Sequence, residues 1–115
     1  MALSKTFTLP ELPDGVPASY IRYNRIEEMD RRRRLAVILF DLYVDQATAD
    51  RPGSSPQRPS AFRLRASGAD FDAWFSNEAL AAAEVDVVAQ AYRAARVLTV
   101  DWWERSAPLS DAEDV

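Results

Sequence analysis

The chain has 115 residues, of which 48% are hydrophobic and 28% charged, and it carries a net charge of −4. That length sets one domain with enough bulk for a core, and the composition excludes disorder as the default state. Cysteine and histidine are both absent, which removes disulfides, thiol chemistry, the commonest zinc ligands and the commonest general base.

Lys5 to Leu9 alternates polar and apolar residues, the pattern of a short half-buried strand. Pro10 ends it, and Pro13, Asp14, Gly15 and Pro17 form a loop with two turns. Residues 19–45 then read as one long β-hairpin. Its first arm is rich in β-formers, with Tyr20, Ile21, Tyr23 and Ile26 interleaved with Arg22, Asn24 and Arg25. Its turn holds four consecutive arginines, Arg31, Arg32, Arg33 and Arg34. Its second arm is the one strongly apolar run of the chain. Ala36, Ile38, Phe40, Leu42 and Val44 make a wholly apolar face. The opposite face begins with Leu35, Val37 and Leu39 and ends with Asp41, Tyr43 and Asp45. That face is expected to be covered at its start, by a helix or a second sheet, and exposed at its end.

Residues 46–60 contain three prolines and a glycine and read as a long, mobile surface loop. Residues 61–66 alternate again, with Phe62, Leu64 and Ala66 inward and Arg63 and Arg65 outward. The pattern changes after Ser67. Asp70 is a candidate cap before Phe71, Trp74 and Phe75, and Ser76 or Asn77 caps a second short helix. From Asp86, Val88, Ala91, Tyr92, Ala95 and Leu98 recur at helical spacing, with an end expected near Val100. Residues 108–115 read as an acidic tail. Strands followed by helices give an α+β fold, a small antiparallel sheet packed against C-terminal helices. No stretch is apolar and long enough to span a bilayer, no signal-peptide core is visible, and the chain is expected to be made in the cytoplasm.

The chemistry-bearing clusters are few. Asp41 and Asp45 share a strand face but stand about 13 Å apart, so with Asp50 they read as strand-end acids. Asp70 and Asp72 lack the glycine and the closing glutamate of a calcium loop. Ser54 and Ser55 sit in a proline-rich loop with no histidine to serve them. No phosphate-cradling glycine motif is present. The reading is therefore no enzyme, no metal and no cofactor.

The arginine turn has three readings. Acidic flanks at Glu27, Glu28 and Asp30 favour a solvated turn with local ion pairs. Contact with an acidic protein comes next, through bidentate carboxylate pairs. Nucleic acid comes last, because the chain is acidic and the phosphate term is electrostatic. Trp102 and Trp103 are neighbours that cannot both face inward, so one is expected to be exposed or covered by a partner. The candidate interface residues are thus Arg31, Arg32, Arg33, Arg34, Trp102 and Trp103.

Several stretches resemble short structural proteins from the tail modules of tailed bacteriophages and prophages. They are residues 2–9, 18–22, 34–45, 67–75, 88–92 and 111–115, which together make 44 of the 115 residues, run from one end of the chain to the other and contain no chemically specific motif. The long proline-rich loop and the Trp102–Trp103 pair are not part of that pattern. The resemblance implies a virion structural protein in the distal tail, the baseplate or the fibre attachment. Its partners would be other virion proteins, tail or fibre subunits, with no nucleic acid and no membrane. It would be present in multiple symmetric copies, and it transfers no catalytic residues. The alternative is a small cytoplasmic protein-binding regulator, phage-encoded or not.

Overall fold

The computed structural model describes residues 2–7, 17–102, 105–106 and 109–115. Residues 8–16, which include the end of the first expected strand and the loop after it, lie outside the described residues. So do Trp103 and the side chain of Trp102.

The α+β reading holds. Among the described residues, seven strands form one antiparallel sheet: β1 (Leu3–Phe7), β2 (Ala18–Asp30), β3 (Leu35–Tyr43), β4 (Arg58–Ser67), β5 (Val100–Trp102), β6 (Arg105–Ser106) and β7 (Glu113–Asp114). Four helices are interspersed among the described residues: α1 (Gln46–Asp50), α2 (Ala69–Trp74), α3 (Asn77–Ala83) and α4 (Val87–Ala95). The sheet order is β6-β5-β4-β3-β2-β1-β7. The long hairpin is its centre, with Tyr20 opposite Tyr43 at one end and Asp30 opposite Leu35 at the turn.

This sheet has to curl. From Ser106 to Glu113 the chain takes seven steps, a reach of at most about 25 Å. Those residues lie in the two outermost strands, and six flat strand spacings would set the edges about 29 Å apart. The core confirms the curl, because Phe7 on β1 meets Phe62 on β4 with ring centroids 5.3 Å apart. The concave face holds Leu3, Ile21, Ile38, Phe40, Leu42 and Leu64, and Phe71, Phe75, Ala91 and Tyr92 of the helices plug it. Periodicity explains why. Alternate strand residues share a face, and α4 puts Ala91, Tyr92 and Ala95 on one stripe.

Tyr92 also carries a polar duty. Its hydroxyl accepts from the Tyr23 backbone N–H, next to a register shift between Tyr23 and Arg25 that takes that part of β2 out of regular pairing. Its ring meets Phe40 edge-on at 5.4 Å. Burial raises the phenol pKa, so it stays neutral, opposed by its hydrogen bond from Tyr23. Tyr92→Phe keeps the ring and orphans the amide. The expected loss is about 1–3 kcal/mol in urea unfolding. An unchanged midpoint would show that water serves the amide equally well.

The convex face is built differently. Leu35, Val37 and Leu39 are buried there, yet the buried faces of α2 and α4 belong to the concave side. The register neighbours of this stripe are Arg25 and Glu28 on β2 and Arg63 and Arg65 on β4. Arg25 and Arg63 both reach Glu27, at 3.8 and 3.5 Å. Among the described residues, charged residues with long methylene stems border this stripe where a helix or second sheet was expected.

Four local readings need correction. Residues 46–60 are not a continuous loop, because α1 and the start of β4 lie within them. Asp45 caps α1 by accepting from the Thr48 N–H at 2.8 Å. Arg22 anchors the helix through Asp50 at 2.6 Å and the Ala49 carbonyl at 3.3 Å. The acidic tail is docked, since β7 pairs with β1 while Leu109 and Ala112 are buried. α4 ends at Ala95 rather than near Val100. The β-branched Val97, Thr99 and Val100 suit the strand that follows better than a helix. Finally, Gly68 rather than Asp70 precedes the first turn of α2, at a φ of 59° that glycine adopts without strain. Ser76 does cap α3, accepting from the Ala79 N–H at 3.1 Å.

Candidate functional site: the arginine tip

The tip is a four-residue turn closed by its own acid. Asp30 Oδ1 accepts from the backbone N–H groups of Arg32 and Arg33, both at 3.0 Å. Arg34 takes a left-handed conformation, φ 54°, a common last step in a hairpin loop of this length. Its carbonyl accepts from the Gly68 N–H at 3.0 Å. That bond sets the start of α2 against the turn.

Three of the four arginine side chains are tied down. Arg34 holds Asp72 of α2 in a two-bond fork, with Nε to Oδ1 at 3.0 Å and Nη2 to Oδ2 as the second contact. The Asp72 hydrogen bond raises the Arg34 pKa, and the same bond holds the Asp72 carboxyl below its ordinary range. Arg33 Nη1 reaches Glu28 Oε2 at 3.2 Å. Arg31 Nε donates to Asn77 Oδ1 at the start of α3, 2.9 Å away. Arg32 is the exception. Its backbone amide is bound, but its exposed guanidinium has no partner among the described residues.

The solvated turn with local ion pairs is thus accurate for Arg33 and incomplete for Arg31 and Arg34. Two of the four residues fasten the tip to the helical layer. Sequence spacing could not show this, because Asp72 and Asn77 lie 38 and 46 residues away. The product is a braced tip with one guanidinium, that of Arg32, left without a partner among the described residues.

The other sequence candidates stay apart. Asp41 is only 9% exposed, not an exposed strand-end acid. It accepts from the Ser60 N–H at 2.7 Å and from Asn24 Nδ2 at 3.1 Å. Asp45 and Asp50 serve α1 and Arg22. No group of three or more acidic side chains able to hold a metal occurs among the described residues. Trp102 lies in β5, opposite Phe62, so the chain turns away from the helix there. No described helix is long and apolar enough to cross a membrane. No protein-family model matches the chain, and no curated protein and no solved structure is found to be similar to it.

Proposed function

We propose that the chain is a structural subunit of a tailed-phage or prophage particle, acting by protein–protein contact and not by catalysis. The particle context rests on the resemblance of residues 2–9, 18–22, 34–45 and the later stretches to tail-module proteins. The contact reading rests on one observation, the unpartnered Arg32 guanidinium held out by a braced turn. A guanidinium fork pairs best with a planar carboxylate. Its carrier is already ordered, so docking costs little conformational entropy. Glu28, Asp30 and Asp72 surround the tip, and their charges oppose an approaching phosphate backbone. An acidic surface of a neighbouring tail or fibre subunit therefore suits it better than DNA.

Mass spectrometry of purified particles tests the context, and Arg32→Glu tests the contact. The chain is expected in particles at a fixed copy number set by their symmetry. Arg32→Glu should fold normally and lower incorporation by about tenfold or more. Particles lacking the chain would instead support the cytoplasmic regulator. Full incorporation of Arg32→Glu would reduce the tip to a solvated turn.

A further inference from the structure

α4 and β7 border a groove whose lining does not include the arginines of the turn. Two adjoining cavities, about 610 and 410 Å³, share Arg93 and Asp114 as lining residues. Trp74, Gln90, Arg96 and Val97 line the larger one. Two large hydrophobic side chains are strongly exposed among the described residues, Val97 at 67% and Val115 at 51%. Both lie on this groove.

Its polar groups are incompletely satisfied. Gln90 is only 4% exposed, and its Nε2 donates to the Trp74 carbonyl at 3.0 Å. Only the amide nitrogen can donate, so that bond fixes the orientation and leaves Oε1 as the accepting end, with no partner among the described residues. Arg96 gives Nη1 to Asp114 at 3.0 Å, while its Nε is buried with no acceptor. Arg93 is exposed and has no partner among the described residues. The groove thus holds one carboxylate paired with Arg96, a second guanidinium on Arg93, an amide acceptor and two apolar contacts.

We propose that this groove binds an extended acidic peptide segment of another protein. A side-chain carboxylate would sit on Arg93, the exposed guanidinium of the groove. A backbone N–H of the segment would reach Gln90 Oε1, and its apolar residues would cover Val97 and Val115. The amide acceptor discriminates. A free dicarboxylate could satisfy the guanidiniums, but only a peptide brings an N–H donor as well. The site is separate from Arg32, so either proposal can fail alone.

The test is NMR titration of the full chain with a blocked Glu-Val-Glu-Leu-Glu peptide, its all-Gln counterpart and glutarate. The Gln90 side-chain amide and the Arg93 Nε–H signals should shift with the acidic peptide and not with the counterpart. Arg93→Gln, at an exposed position, should weaken binding by about tenfold or more, while Arg32→Glu should leave it unchanged. Absence of shifts at millimolar peptide, or equal binding of the all-Gln peptide, overturns the proposal. Equal shifts with glutarate would reassign the groove to small carboxylates and overturn the peptide.

Discussion

Phe40→Ala is expected to destabilise the fold by about 3–5 kcal/mol, the usual cost of emptying a buried aromatic site. Phe40 is fully buried on the central strand, opposite Tyr23 on one side and Phe62 on the other. Its ring also takes the edge contact with Tyr92 that seats α4. A cavity there would separate sheet from helix, and neither is free to collapse into it. Domains of this size hold about 5–15 kcal/mol in total, so a large share of the stability would go. The melting temperature should fall by on the order of 15 °C. Phe40→Leu should cost much less, because most of the volume remains. A fall of only a few degrees for the alanine variant would mean that this core is loosely packed.

The second large effect is expected at Asp41. Its Oδ1 serves both the Ser60 amide and Asn24, at a register shift between β3 and β4. Ser60 holds a left-handed φ of 49° there, costly for a residue with a Cβ. The carboxylate supplies the acceptor that the shifted strand cannot. Asp41→Ala should therefore cost about 2–3 kcal/mol, by orphaning two donors in a half-dry site. Asp41→Asn keeps an acceptor oxygen and should cost about 1 kcal/mol or less. Urea midpoints of the two variants separate hydrogen bonding from charge. Equal losses would assign the effect to the charge itself.

Asp41 also shows where sequence reasoning reached its limit. The parity of β3 sorted the core face correctly, since alternation is a local property. The same parity placed Asp41 at an exposed strand end. Its burial comes from Asn24 and Ser60, whose positions depend on bulges that alternation does not encode. The long hairpin was legible because Tyr20 to Ile26 and Leu35 to Tyr43 are both strand-like and four charged residues separate the arms. The cap Ser76 was legible for the same local reason. α1 and β7 were not. The first depends on Arg22 reaching Asp50 across the fold, and the second acquires its conformation from β1. At the tip, the cluster of arginines was plain. Their bracing by Asp72 and Asn77 required the helices to be placed first.

The central position of the hairpin has a mechanical consequence. Its turn lies at the end of β2 and β3, with β1 beside one arm and β4 beside the other. A pull on the turn runs along the strands, whereas the ladder hydrogen bonds cross them. Such a force shears the β1–β2 and β3–β4 ladders, whose bonds must give way together instead of opening one after another. A tension applied at Arg32 is therefore borne by the whole sheet, and the turn is a place where this small domain can be held under strain.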